Sequence, residues 1–279
     1  MPVPLDTTGK ASFDDIYDRP DPRDYYATLS ALDYRIPELA KPVFQQQIQQ
    51  YRDELQIAAP TVLDIGCSYG VNAALLRFDT SVDAMAEHYA AAEGEGRSAL
   101  IARDRARLAA EDVLPDVRVI GMDASKPALD YALEAGFLHD VVHADLESNE
   151  PTDAQRATIA SADLVISTGC VGYVTEKTLA RVATAHPDRR PWMAHFVLRM
   201  FDFAPIETEL AALGYRTEQV PGLFEQRRFA SDTERSQVLN ALSEHGVDTT
   251  DREAEGWLYA GLYLSRPMPR NQPDTEDSH

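Results

Sequence analysis

The chain has 279 residues, 44% hydrophobic and 26% charged, enough apolar material for a sizeable single core with no low-complexity stretch away from its ends. Its 46 Asp and Glu outweigh 26 Lys and Arg to give a formal charge of −20, which repels nucleic-acid phosphates and anionic membrane surfaces. The densest basic spots, Arg189-Arg190 and Arg227-Arg228, are short and read as solvated faces, and the two cysteines make no disulfide framework.

No C-x-x-C or H-E-x-x-H spacing offers a metal site, and no run of 18 apolar residues offers a membrane span. The start lacks the basic-then-apolar pattern of an export signal, so a cytoplasmic protein with no metal, nucleic-acid or membrane partner is expected.

Residues 1–57 read as a helical cap. Ser12 with Asp15 has capping-box chemistry, and Asp21 before Pro22 places an N-cap and a first-turn proline ahead of Tyr25, Tyr26, Leu29 and Leu32. A further helix is expected from near Pro42, because Phe44, Ile48, Tyr51 and Leu55 recur at the spacing of one helical face. The aromatic stretch with Tyr17, Tyr25, Tyr26 and Tyr34 has two open readings, ordinary packing of an N-terminal extension or a lid over a ligand cleft.

The segment Thr61-Val-Leu-Asp-Ile-Gly-Cys-Ser-Tyr-Gly70 carries the most information. Val62, Leu63 and Ile65 form a strand-like apolar run, Gly66 and Gly70 let the backbone turn tightly beside a ligand, and Ala73, Ala74, Leu75 and Leu76 start a helix near Val71. This is the strand, loop and helix start of a doubly wound α/β sheet, where ligands collect at the carboxyl ends of strands. The dinucleotide fingerprint is not met, because Ser68 stands where a second glycine would admit a pyrophosphate. Asp64 would moreover repel a phosphate, whereas it suits a cationic amine.

The pattern Asp64-x-Gly66-x-Ser68-x-Gly70 resembles the first motif of the class I methyltransferases that use S-adenosylmethionine (SAM), with serine at their usual middle glycine. The resemblance implies a Rossmann-like α/β fold, a mostly parallel seven-stranded sheet flanked by helices, spanning residues 58–266 behind the N-terminal cap. It also implies cofactor contacts from Asp64, Gly66, Cys67, Ser68, Gly70 and Asn72; on the lid reading, which stays open beside plain packing, the tyrosine stretch would offer aromatic faces to a sulfonium cation.

From about Thr80 to Pro115 the Ala-, Glu- and Arg-rich sequence, broken by Glu-Gly-Glu-Gly at 93–96, reads as an insertion of one or two helices on the rim. Its readings are a solvated surface feature or a contact in a homodimer. Val117–Asp123 is the second strand. Asp123 at its end is what a ribose demands, since one carboxylate accepts hydrogen bonds from both vicinal hydroxyls, and Ala124 follows it into the site. The competing role for Asp123 is to cap the helix through Pro127 to Ala135, and both roles hold if Ser125 is the cap.

Asp140–Leu146 reads as the third strand, and by the resemblance Asp145 reaches the exocyclic amine of adenine while Leu146 offers its N–H to the ring; a surface turn is the competing reading of Asp145. The fourth strand is expected over Ala162–Cys170, and the resemblance implies that it lies beside the first, bringing Ser167 to the cofactor and Cys170 to the same cleft as Cys67. Base-modifying relatives carry Asp or Asn, two prolines and an aromatic there; Ser167-Thr-Gly-Cys-Val-Gly-Tyr173 departs from that pattern, which again argues against nucleic acid.

The fifth strand is expected over Trp192–Met200, a sixth from Thr217, the last over Trp257–Ser265, with a polar helical insertion on the substrate side over 224–255 and a disordered tail from 267. Tyr173, His195 and Asp202, with Glu225 behind them, are the candidate proton-handling residues, although a histidine inside an apolar strand is commonly a core residue. The activity implied is methyl transfer to a small-molecule metabolite. Two alternatives stay open: cyclisation of SAM itself to a small ring amino acid with release of methylthioadenosine, and a non-catalytic cofactor-binding scaffold.

Overall fold

A computed structural model describes residues 5, 6 and 8–269. Seven strands form one sheet: β1 (Thr61–Ile65), β2 (Arg118–Asp123), β3 (Asp140–His143), β4 (Leu164–Thr168), β5 (Trp192–Leu198), β6 (Tyr215–Arg228) and β7 (Trp257–Pro267). Their order is β3-β2-β1-β4-β5-β7-β6. The pairings of β1 to β5 are parallel, and β7 runs antiparallel between β5 and β6.

Alternation along β1 sends Val62 to one core and Leu63 with Ile65 to the other, so both faces are covered and the strand reads as continuously apolar. The first face carries the helices Ile36–Leu55, Val71–Phe78 and Lys126–Ala135; the second carries Asp153–Ala160, Glu176–Ala183 and Ala204–Ala212. Register pairs Ile65 with Met122 and with Ser167, so β1, β2 and β4 end together and present their loops to one cleft.

Local signals mark most boundaries. Ser125 caps Lys126–Ala135, as expected, with its hydroxyl accepting from the Ala128 N–H, while Asp123 keeps its carboxylate elsewhere. Asp21 does act at a helix start, accepting from the Arg23 N–H at 3.2 Å, but the helix over Arg23–Ser30 begins one residue later than Pro22. The next helix begins at Ile36 and not near Pro42. Pro37 takes the first turn, where a missing N–H costs nothing, and Pro42 stands inside the helix, which continues through it without that residue's i→i−4 hydrogen bond.

Three other expectations are corrected. The 80–115 insertion is two helices, Val82–Ala90 and Arg97–Glu111, and it is no solvated rim: Met85, Tyr89 and Leu100 join the main core. Buried Asp104 accepts hydrogen bonds from the Tyr89 and Tyr131 hydroxyls at 2.9 and 2.6 Å, which ties the insertion to the sheet helix Lys126–Ala135. Second, the span 224–255 is not a substrate-side insertion: Phe224–Arg228 completes β6, whose Pro221-Gly222 interruption is absorbed by a register shift. The helix that follows, Asp232–Glu244, packs through Val238 and Leu242 on Leu198, Met200 and Leu258. Third, Arg227 is buried beside Glu234, and only Arg228 remains on a solvated face.

The last strand extends through Pro267, and residues 270–279 of the expected tail lie outside the described residues. Among the described residues no helix is long and apolar enough to cross a membrane.

Candidate active site

At the carboxyl ends of β1, β2 and β4 lies a cavity of about 610 Å³. The turn after β1 forms its floor. Gly66 has φ +68° and Gly70 φ +73°, and between them Ser68 holds φ +49°, a left-handed backbone that a side chain adopts at some cost. A Cβ on Gly66 would stand 2.7 Å from the Cys170 Cβ, so only glycine lets the ends of β1 and β4 approach this closely.

Asp123 braces the turn. Its Oδ2 accepts from the Ser68 N–H and its Oδ1 from the Ser125 N–H, both at 2.8 Å. Burial pushes its carboxyl up, while the N–H groups of Ser125, Ser68 and Ala124 pull it back. Each oxygen keeps a further lone pair for a ligand hydroxyl. Ser68 and Asn72 line the cavity, and Ser68 Oγ and Asn72 Oδ1 are buried without a hydrogen-bond partner. Buried polar atoms are rarely left unmatched, so this wall is prepared for a polar ligand.

Behind the wall, Asp64 is fully buried and accepts from Asn72 Nδ2 at 3.0 Å; Asn72 also donates to the Thr168 hydroxyl at 3.2 Å. Burial lifts the Asp64 carboxyl to about 7, against the Asn72 hydrogen bond, and the Asp123 charge adds to the rise. The folded state therefore binds this proton more tightly than the unfolded chain does, and the contribution of Asp64 to stability declines as pH rises from about 4 to 7. Thermal or urea unfolding should register that decline at up to about 1.4 kcal/mol per pH unit, and Asp64→Asn should flatten it. A wild-type profile parallel to that of the variant across this window would rule it out.

Gly66, Cys67, Ser68, Asn72, Asp123 and Ala124 line the cavity, as do Asp145 and Leu146. Asp64, Gly70 and Ser167 do not: Gly70 closes the turn onto Cys67, and Ser167 bonds to His195. Asp145 is also a turn residue, its Oδ1 accepting from the Glu147 and Ser148 N–H groups. Cys67 and Cys170 share the cavity, and burial raises both thiols, so they remain protonated.

Tyr17, Tyr25 and Tyr34 wall the opposite side, whereas Tyr26 turns away and stacks on Tyr89 at 5.1 Å. The N-terminal segment is both packing and wall. The Tyr69 hydroxyl donates to the Ile16 and Arg19 carbonyls, both at 2.9 Å, and the Ser125 hydroxyl to the Tyr17 carbonyl at 2.7 Å.

Of the proton-handling candidates, only Tyr173 reaches the cavity; its hydroxyl donates to Asp6 Oδ2. His195 is a core residue of β5, pushed down to about 4 by burial and hydrogen-bonded through Nδ1 to the Ser167 hydroxyl at 2.8 Å. Asp202 accepts from the Ala204 N–H at a helix start, and Glu225 pairs with Arg35 at 2.7 Å. Sequence reasoning missed Asp6, Lys10 and Glu147, which also line the cavity. The one signal for Lys10 was rarity, since the chain has only four lysines.

The strand order, with parallel β1 to β5 and antiparallel β7 inserted before β6, is that of the class I methyltransferase fold. The fold assignment rests on that order and on strand direction. No family model matches the chain, and no curated protein matches it in sequence. Three solved structures illustrate what it is similar to. Magnesium protoporphyrin IX methyltransferase (ChlM) from Synechocystis PCC 6803, solved with bound SAM, is 12% identical, over 81% of this chain and 79% of that one, with a TM-score of 0.40. The plantazolicin methyltransferase BpumL, in complex with SAH (S-adenosylhomocysteine), is 12% identical over 83% and 84%, with a TM-score of 0.41. The [4+2]-cyclase SpnF is 13% identical over 80% and 81%, with a TM-score of 0.40.

Proposed function

We propose that this protein is a SAM-dependent methyltransferase acting on a small-molecule acceptor. The observation that carries the reading is the joint between Asp123 and the glycine turn, Ser68 N–H to Asp123 Oδ2 at 2.8 Å, flanked by the unpartnered Ser68 Oγ and Asn72 Oδ1. A carboxylate at the end of the second strand suits vicinal ribose hydroxyls, and the two free polar atoms suit an amino-acid end; no arginine for a pyrophosphate stands among the described lining residues. Asp145 and Leu146 line the same cavity and would flank an adenine bound there.

When bound, the cofactor supplies an electrophilic methyl group. The chain's own contribution is then to hold the ribose through Asp123, to shield the cavity from water with Tyr17, Tyr25 and Tyr34, and to orient the acceptor near attack distance. Of Tyr173, His195, Asp202 and Glu225, Tyr173 alone reaches the cavity to take a proton from an acceptor that arrives protonated.

Calorimetric titration with SAH tests the reading. Asp123→Ala should weaken binding by about 1.5–3 kcal/mol, the range for hydrogen bonds to a charged group, while the variant stays folded. Unchanged affinity in a folded variant would remove Asp123 from the site. Pure protein given SAM alone should leave it intact, because transfer needs an acceptor. Sustained release of methylthioadenosine, lost in Asp123→Ala, would establish the cyclising alternative instead.

A further inference from the structure

A single lysine stands among carboxylates on the cavity wall. Asp6, Asp18, Asp123, Asp145 and Glu147 line it, and Lys10 is the one basic side chain among the described lining residues. Lys10 is 9% exposed, and its Nζ lies 5.2 Å from the centroid of the Tyr173 ring. The segment that carries it is firmly held: the Asp6 N–H donates to the Lys10 carbonyl at 2.8 Å, Leu5 and Ala11 form an antiparallel bridge, and the Ala11 N–H donates to Glu234 Oε1 at 2.8 Å.

The neighbouring carboxylates are already committed. Asp6 Oδ1 accepts from the Thr8 N–H, the Thr8 hydroxyl and the Lys10 N–H, and Oδ2 from Tyr173. Glu147 accepts from the Thr175 N–H and from the Thr175 and Thr178 hydroxyls. Asp123 and Asp145 accept from backbone N–H groups, with acceptor capacity left over at Asp123. Arg227, whose charge acts on Lys10, is paired with Glu234. Lys10 makes no ion pair within 4.0 Å among the described residues, although the Asp6 and Glu234 charges act on it, and its side chain, which carries three donors, lines the cavity. Burial and the Arg227 charge lower its pKa to about 8, which still leaves it protonated at neutral pH.

The geometry points to Lys10 as the carboxylate-binding residue of this cavity, taking either the carboxylate of the cofactor's amino-acid end or that of an acidic acceptor. An anionic group would be repelled by the carboxylates elsewhere on this wall, and Lys10 is the one basic side chain among the described lining residues, so a carboxylate would be held at that point. The inference rests on the SAM reading for the first source and on the cavity alone for the second.

Two titrations of the full-length protein separate the sources. The first compares SAH with methylthioadenosine, which lacks the amino-acid end. The second compares benzoate with its neutral analogue benzamide, with and without SAH, as flat probes for a cavity walled by Phe13, Tyr17, Tyr25 and Tyr34. If Lys10 holds the cofactor, Lys10→Met weakens SAH at least tenfold and leaves methylthioadenosine unchanged. If it holds an acceptor, wild type prefers benzoate to benzamide at least tenfold, Lys10→Met loses that preference, and SAH affinity is unaltered. Lys10→Arg should restore whichever effect is seen, which a merely structural lysine would not do, and the wild-type benzoate preference can be read without any variant. The inference is overturned if Lys10→Met leaves SAH affinity intact and benzoate shows no preference, or a preference that survives the substitution. Wild type that binds benzoate but not SAH keeps the lysine's role and removes the cofactor reading; binding of neither removes both.

Discussion

Gly66→Val should abolish SAH binding and cost about 2–5 kcal/mol of stability. The native φ of +68° is one that a β-branched residue adopts only at about 1–2 kcal/mol or more, and the added Cβ would meet the Cys170 Cβ at 2.7 Å and its Sγ at 3.2 Å. Overpacking of that kind adds about 1–3 kcal/mol, and relief requires β1 and β4 to separate where the cavity floor is built. The Gly66 N–H also donates to the Met122 carbonyl at 2.8 Å, so displacement of the turn loosens the end of β2 that carries Asp123. Gly70→Ala is the control: its Cβ would meet Ala132 at 3.1 Å and Phe137 at 3.3 Å, contacts that a small shift relieves, although its φ of +73° keeps some strain. Chemical denaturation and SAH titration of both variants check this ranking. A Gly66→Val protein that binds SAH like wild type would mean that the turn does not approach the ligand.

Arg227→Met is the substitution expected to cost the most stability outside the cavity floor. The guanidinium is 2% exposed and the Glu234 carboxylate 0%, joined by two hydrogen bonds of 2.6 and 3.0 Å. Burial alone would push the Glu234 carboxyl up, but Arg227 and the Ala11 and Ala230 N–H groups together hold it below the usual glutamate range. Removing the arginine leaves a buried carboxylate with two N–H donors and without its hydrogen-bonded partner cation, a loss of about 3–5 kcal/mol. Arg227→Met combined with Glu234→Gln should recover a substantial part, because the amide carbonyl still accepts hydrogen bonds and no buried charge remains. Urea unfolding measures both. The Ala11 N–H depends on Glu234, so amide exchange around Lys10 should quicken in the single variant; a loss under about 1 kcal/mol with unchanged exchange would show that the pair holds neither the fold nor this segment.

The distribution of charge explains why these two positions differ in kind. Gly66 acts through covalent geometry at a strand end, within a ten-residue motif. Arg227 acts at a distance of more than two hundred residues in sequence, by holding the carboxylate that ties Ala11 and so the segment bearing Lys10 in place. The site therefore has one wall fixed by the sheet and another held by an N-terminal segment latched onto the helix Asp232–Glu244.

By itself the sequence determined the parts whose physics is local. The run Val62, Leu63, Ile65 followed by Gly66 and Gly70 defines a strand and a turn because buried strands are apolar and left-handed backbone favours glycine. The capping of Lys126–Ala135 by Ser125, and the arrival of Asp123 at the end of β2, were legible for the same reason. Only the tertiary structure decided which polar residues meet. His195 and Ser167 found each other in the core, Arg227 was buried although it reads as surface, and Lys10 reached the cavity from a segment whose pattern predicts nothing about it. The fourteen-residue β6 was hidden by Pro221 and Gly222, which break a strand locally and are tolerated here through a register shift against β7. Charge pairing and cavity lining depend on partners brought together across the whole chain, and a periodicity read over ten residues carries no trace of them.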